Sequence, residues 1–281
     1  MNVSSGWLKC SMMIETVLAF IAQVPLSISI TAVLCAAVII SLIKLLIVRE
    51  LYTYQEMVGN NDVIGLKYGL FGEVFAVALG LALVGSYSLY RGVRENSSGE
   101  VSALRSLYYS ATERDDKLGG KGTAILRATV VSYAGSVAED EWKLLANGQM
   151  SEKTTIRLTE MFDSFMKNNE PNIMNAAQLG FLGDVVNLRG LRTSTSTRTL
   201  THVVWAILVS GVTLVFLGPI FVAAESSFVQ IVLASALSAF IMLNLLALVH
   251  LSHPFIGELA ITASPYLEFI EETKMLSSIK N

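Results

Sequence analysis

Four long stretches of this chain carry almost no charge. Glu15 and Lys44 bracket 28 apolar or small polar residues, Tyr68 to Tyr90 holds a single charge, Glu73, and neither Val203–Ala224 nor Ser226–Val249 holds any. About 20 such residues are enough to cross a bilayer as a helix, so the pattern predicts four spanning helices. Pro25 splits the first stretch. Proline is tolerated in the first turn of a helix, which starts the first span near Leu26 and ends it near Val48. Met12 to Val24 then becomes an amphipathic lead-in at the membrane surface.

The segment between spans 2 and 3 has a different pattern. Apolar residues there recur at helical spacing in blocks separated by turn signals. Val101, Leu104, Leu107, Tyr108 and Ala111 form one face that continues span 2. Gly119-Gly120 breaks it. Leu126, Val130, Tyr133, Val137 and Leu144 form a second helix, stopped by Asn147-Gly148. Ser151 is placed to cap a third helix bearing Leu158, Met161, Phe162 and Phe165. Pro171 starts a fourth with Ala176, Leu179, Gly183 and Val186. Such helices can bundle into a small domain, and no strand alternation or internal repeat is seen. The fold class is therefore all-α: a polytopic membrane protein with four transmembrane helices and a helical bundle between spans 2 and 3. The regions are a lead-in (1–25), spans 1 and 2 (26–90), the bundle (91–199), spans 3 and 4 (200–251) and a tail (252–281).

Composition agrees: 53% of residues are hydrophobic and 15% charged, against about 25% charged in soluble domains. A net charge of −3 gives no field favouring nucleic acid. Seventeen of the 20 Lys and Arg fall on the side of the termini and the 91–199 segment, while Lys44, Arg49 and Lys67 lie opposite. Arg91, Arg94, Arg192 and Arg198 flank the spans, so the positive-inside rule puts the termini and the bundle in the cytoplasm, in a bacterial inner membrane. Cys10 and Cys35 are isolated and imply no disulfide framework. No small-x-small site follows the first apolar run as a signal peptide requires, and Leu34 is too bulky for the residue before a lipoprotein cysteine at Cys35. No phosphate-binding Gly-rich loop, Gly-x-Ser-x-Gly or His-Glu-x-x-His is present. Three histidines leave little room for imidazole chemistry, so the chain is not expected to be an enzyme or to carry a cofactor.

Several elements occur in a distinctive order. Gly59-Asn60-Asn61-Asp62-Val63-Ile64-Gly65 precedes a Gly-rich second span, and Glu100-Val101-Ser102-Ala103-Leu104 follows. A tyrosine-bearing helix then runs to Glu141-Trp142 and Asn147-Gly148. Trp205 opens span 3, and Leu251-Ser252-His253-Pro254-Phe255-Ile256-Gly257 leaves span 4. From Met13 to Ile270 this resembles the bestrophin-like domain family of bacterial and plastid membrane proteins. Ser252 departs from the acidic residue common in that family before the Pro-Phe element. The resemblance implies the architecture of bestrophins, which are oligomeric chloride channels with four spans and cytoplasmic helices. It is not specific at the acidic run Glu139-Asp140-Glu141, where carboxylates about 100° apart on a helix read as a solvated face or as an ion pair with a neighbouring helix.

The candidate residues follow. Gly65, Gly69, Gly72, Ala76 and Gly80 form a small-residue stripe suited to close helix packing, within the chain in preference to between copies. Phe71, Phe75 and Leu79 lie at i, i+4 and i+8 beside it. The resemblance implies that they form a hydrophobic neck, although such a row more often faces lipid. Glu73 is an intramembrane carboxylate and hence a functional-site candidate. Its possible partners are Lys67, Lys44 and Asn244, and unpaired in a pore it would repel anions. His253, Pro254, Phe255 and Gly257 read as a helix-exit turn, and His250 with His253 lacks the further ligands a metal needs. The hydroxyl-rich stretch from Arg192 to His202 suits juxtamembrane solvation or attraction of anionic groups, and Trp205 an interfacial anchor. The resulting expectation is a homo-oligomeric ion channel in a lipid bilayer, conducting a small anion such as chloride. The alternative is a non-conducting scaffold whose bundle binds a protein partner.

Overall fold

The computed structural model describes residues 16–51, 61–118, 121–167, 173–196, 200–217 and 226–279. These are helical or connecting, with no strand among them. Gly59, Asn60, Gly119, Gly120, Pro171, Arg198 and the last part of the third predicted span lie outside the described residues. The helices are α1 (Leu26–Leu51), α2 (Asn61–Leu118), α3 (Lys121–Ser136), α4 (Trp142–Leu145), α5 (Glu152–Lys167), α6 (Ile173–Ser196), α7 (His202–Leu217), α8 (Ser227–Ser252) and α9 (Ser264–Ile279), and a π turn, Val137–Glu141, joins α3 to α4. The chain divides into two compact units, one of residues 1–88 and 200–259, the other of 89–199 and 260–281.

In the first unit, α1, the stretch of α2 from Ile64, and α8 are long and apolar enough to cross a membrane, and α7 is a shorter apolar helix over Val203–Leu217. α1 starts where proline places it, with Ser29 N–H donating to Pro25 O at 3.0 Å, and it packs along α8. One interior forms around Phe75, Leu79 and Ala82 of α2, Trp205, Leu208 and Val215 of α7, and Ile241, Leu248 and Val249 of α8. Trp205, expected as an interfacial anchor, is buried in this interior. Along the outer faces, Leu66, Leu70, Val74, Val77, Leu81 and Val84 are exposed. Exposed apolar side chains in such numbers require a nonaqueous surrounding or a partner.

In the second unit, Val101, Leu104, Leu107 and Ala111 of α2 face Leu126, Val130, Tyr133 and Ala134 of α3, Met161 and Phe165 of α5, Leu182 and Val185 of α6, and Tyr266 and Phe269 of α9. Each buried aliphatic or aromatic side chain contributes about 1.5–3 kcal/mol. Gly148 ends the α3–α4 run with φ +66°, a left-handed C-cap that glycine adopts without strain. Ser151 Oγ accepts from Thr154 N–H at 3.2 Å and so caps α5.

α6 departs from the expected face. Ala176, Leu179, Gly183 and Val186 are exposed, while Asn175, Gln178, Leu182, Val185, Arg189 and Arg192 are buried. The helix is turned by the demand of its two arginines for buried carboxylates, which outweighs the hydrophobicity of Leu179 and Val186.

Candidate functional site

In the first unit the site is the membrane-spanning half of α2. Its buried face carries Phe75, Leu79, Ala82 and Ser86, spaced four, three and four residues apart. Gly211 of α7 admits the Phe75 ring: a Cβ there would lie 2.7 Å from Phe75 Cε2. The row proposed as a neck thus turns inward. Phe75 is 7% and Leu79 6% exposed, and Phe71 packs partly buried against the same interior. The physical reason is the missing side chain at Gly211, which creates the slot that the aromatic ring fills.

The small-residue strip is open. A Cβ at Gly65, Gly69, Gly72 or Gly80 would meet nothing within 4 Å, and Ala76 is exposed. The expected packing of this strip within the chain is therefore not what the described residues show. Glu73 is exposed beside it. None of its expected partners pairs with it among the described residues: Lys44 Nζ lies over the Phe216 ring, 4.4 Å from its centroid, Asn244 Nδ2 donates to Phe240 O of its own helix at 2.7 Å, and Lys67 is exposed.

The turn after α8 closes onto the start of α1. His253 Nδ1–H donates to Val249 O at 2.9 Å, and Pro254 is buried. Gly257 has φ +86°, and its α-carbon lies against Ala22 O so closely that a Cβ would collide with that oxygen. Leu26 N–H then donates to Glu258 Oε2 at 2.8 Å, so a carboxylate satisfies one of the free amides at the positive end of α1. Ser252, where the resemblance leads one to expect an acid, is buried and donates to Leu248 O at 2.8 Å. His250 is buried in α8 and its ring nitrogens have no hydrogen-bond partner among the described residues.

The second unit holds a buried cluster of charges. In it Glu141 makes the ion pair with a neighbouring helix that is one of the two readings of the acidic run, while the part of Glu100 and Arg192 in it is not among the expectations from sequence. Arg192 Nε donates to Glu100 Oε2 at 3.0 Å and Arg192 Nη2 to Glu141 Oε1 at 2.9 Å, with all three side chains fully buried. Arg189 Nη2 reaches Glu141 Oε2 at 2.5 Å and Thr155 Oγ1 at 2.9 Å. Tyr133 donates to Glu100 Oε1 at 2.7 Å. The Arg192 guanidinium lies 5.4 Å from the Trp142 ring and 5.7 Å from the Tyr266 ring, and Trp142 Nε1 donates to Ile261 O at 2.9 Å. Burial works against the charge on Arg192, but Glu100, Tyr266, Glu141 and Tyr133 more than reverse this and hold its pKa well above the usual arginine value. Burial and then the Glu100 charge push the Tyr133 and Tyr266 hydroxyls well above the usual phenol range.

Glu141 gets there through the π turn. The extra residue of a π turn shifts the register, so Leu145 and not Leu144 is the fully buried leucine of α4, and Glu141 points inward while Glu139 is exposed and Asp140 pairs with Lys153 at 2.8 Å. Two arginines against two carboxylates give a neutral cluster. Its chemistry is that of a rivet: one buried contact set joins α2, α3, the π turn, α5, α6 and α9. Arg192 is thus an interior residue, not the juxtamembrane charge expected from the sequence. The signal for it lay in register: Glu100 falls on the buried face of α2 with Leu104 and Leu107, and Arg189 and Arg192 on that of α6 with Leu182 and Val185. Among the described residues no group of three or more His, Cys, Asp or Glu is arranged to hold a metal.

The described residues are helical or connecting and include these apolar helices, and the chain is an integral membrane protein whose fold is that of bestrophins. The crystal structure of a bacterial bestrophin homologue from Klebsiella pneumoniae superposes with TM-score 0.65 at 16% identity, covering 86% of this chain and 96% of that one. An aspartate-to-alanine variant of that homologue covers 90% of this chain and 99% of its own at 17% identity, TM-score 0.63. A tyrosine-to-alanine variant gives TM-score 0.67 at 16% identity, with 86% and 96% covered. No functionally curated protein matches. The bestrophin-like domain model matches residues 32–266, and the chain belongs to the bestrophin-like family.

Proposed function

We propose that the protein is an ion channel of bestrophin type, assembled from several copies in a lipid bilayer. The observation that carries this reading is the open strip of α2. Along this apolar spanning helix a Cβ at Gly69, Gly72 or Gly80 would meet nothing within 4 Å among the described residues. Small residues at a membrane helix surface favour close approach of another helix or of a narrow pathway. In this reading α1, α2, α7 and α8 supply four spans, and the excess of Lys and Arg places residues 91–199 and both termini in the cytoplasm. The path runs along the strip in preference to the Phe75–Leu79 row, whose side chains pack into the interior shared with α7 and α8. Likeness to bestrophins implies a small anion, chloride, as the permeant. The balanced ion cluster gives the bundle rigidity and no catalytic group.

A scaffold that binds a protein partner has one observation in its favour: Ile156, Met166, Leu179 and Val186 of α5 and α6 are exposed. Purified protein in detergent, sized by light scattering and then reconstituted into liposomes for K+ and Cl− flux, separates the two. Oligomers with flux support the channel; a monomer without flux removes it.

A further inference from the structure

We propose that His250 makes the joint between α8 and the start of α1 acid-sensitive: protonation of its imidazole opens the exit turn and releases residues 16–23. The joint lies within the first unit, and the proposal holds whether or not the protein conducts. His250 is 1% exposed in the last turn of α8, and neither ring nitrogen has a hydrogen-bond partner among the described residues. The polar groups that follow it in sequence are engaged elsewhere. Ser252 Oγ donates to Leu248 O at 2.8 Å, and His253 Nδ1 bonds Val249 O at 2.9 Å. Among the described residues, the charges that act on His250 are those of His253 and Glu258. The exposed Glu258 already holds Leu26 N–H at 2.8 Å. Lys44, the cation of α1 nearest in sequence, lies 18 residues beyond Leu26, about 27 Å along the helix.

A neutral imidazole carries one N–H and can stay in the interior at the cost of an unmade bond. An imidazolium carries two N–H groups and a charge, and a buried charge without a partner is strongly destabilising. The closed joint therefore excludes the proton, and an open one, with the ring in water, takes it up. The anion whose charge already reaches the ring is Glu258, the same carboxylate that caps α1. Gly257, its neighbour in the chain, is pressed against the carbonyl oxygen of the fully buried Ala22. A shift of the exit turn toward the released ring thus removes the cap on Leu26 and the seat of residues 16–23 together. The form that binds fewer protons gains stability as pH rises. Closure is therefore strongest above the ordinary histidine value of about 6.5 and is lost as pH falls below it, with opening rising about tenfold per pH unit for one proton.

The test is amide hydrogen exchange of the full-length protein in lipid nanodiscs from about pH 7.5 to about pH 5.5, where carboxylates stay ionised. Protection of residues 16–23 and of Leu26, corrected for the intrinsic rate, should fall about tenfold per pH unit below about pH 6.5. H250L should abolish the fall. Flat protection in wild type, or a fall of the same size in H250L, overturns the proposal. If H250L does not fold, exchange at the imidazole Cε1–H of wild type replaces it, since that rate reports the protonation of each of the three histidines separately. His250 should take up its proton over the same range in which residues 16–23 open. A His250 that titrates while those residues stay protected, or opening without a titrating His250, overturns the assignment.

Discussion

Arg192 and Glu100 meet with Nε 3.0 Å from Oε2, and neither side chain exposes any surface. The pair links the middle of α2 to the last turns of α6, 92 residues away in sequence. Removing one partner of such a pair strands the other as an uncompensated buried charge, at a cost of about 3–5 kcal/mol. R192M and E100Q should each lower stability by that order, and the double variant should recover much of the loss because the Glu141–Arg189 pair remains neutral on its own. Thermal unfolding in detergent, followed by circular dichroism, measures it. Equal stability of R192M and wild type would show that the cluster does not rivet the bundle.

How much of this was legible depended on range. The three long apolar helices follow from composition alone, since lipid exposure demands nearly uninterrupted apolar sequence, and helix punctuation by Pro25, Gly148 and Ser151 is local chemistry. The buried faces of α3 and α5 followed from periodicity up to the π turn, where one added residue moved burial from Leu144 to Leu145. The face of α6 was not legible from its hydrophobic residues because its orientation is set by two carboxylates on other helices. The open strip on α2 could be seen in sequence, but whether α7 would cover it or the Phe75 row depended on the pocket at Gly211.

Phe75 should behave as a packing residue. Filling its slot by G211V forces the ring to move, and overpacking of this kind costs about 1–3 kcal/mol. F75L in the same chain should relieve most of it. Thermal unfolding of the two single variants and the double variant gives the coupling. Additive losses would mean that the two residues do not touch in the assembled protein.

Gly257 carries two requirements at once, a left-handed backbone and contact with Ala22 O. G257A should cost about 1–3 kcal/mol from the backbone alone, and the collision should displace residues 16–23 from the exit turn. Hydrogen exchange at those residues should rise sharply in G257A and only slightly in E258Q, which removes the cap on Leu26 but leaves the turn. Unchanged exchange in G257A would refute the contact.

Glu272 of α9 accepts from the Tyr109 hydroxyl and from Arg105 Nε at 3.0 Å. The Tyr109 hydrogen bond first, then that of Arg105, hold its pKa below the ordinary value of 4.5. A carboxyl whose folded pKa is depressed contributes stability that is present above its unfolded value and lost as pH falls through the folded one. Attachment of α9 should therefore be constant above about pH 5 and weaken below the ordinary carboxylate range. The side chain is 33% exposed, so the effect is modest and falls with salt. Hydrogen exchange in α9 across that range should show a step in wild type that E272Q lacks; a step of equal size in E272Q would assign it to another group.

The open strip makes the sharpest separation between folding and assembly. A Cβ added at Gly69 or Gly72 meets nothing within 4 Å among the described residues, and replacing glycine inside a helix removes a propensity penalty of about 1 kcal/mol. G69L and G72L should thus leave the folded monomer as stable as wild type or slightly more so. If copies approach along this strip, the same leucines hold the helices apart, since small residues there permit backbone contact. Light scattering should then show smaller oligomers or monomers with unchanged helical content, and liposome flux should fall with the oligomer. Wild-type assembly in both variants would move the contact between copies away from this strip of α2.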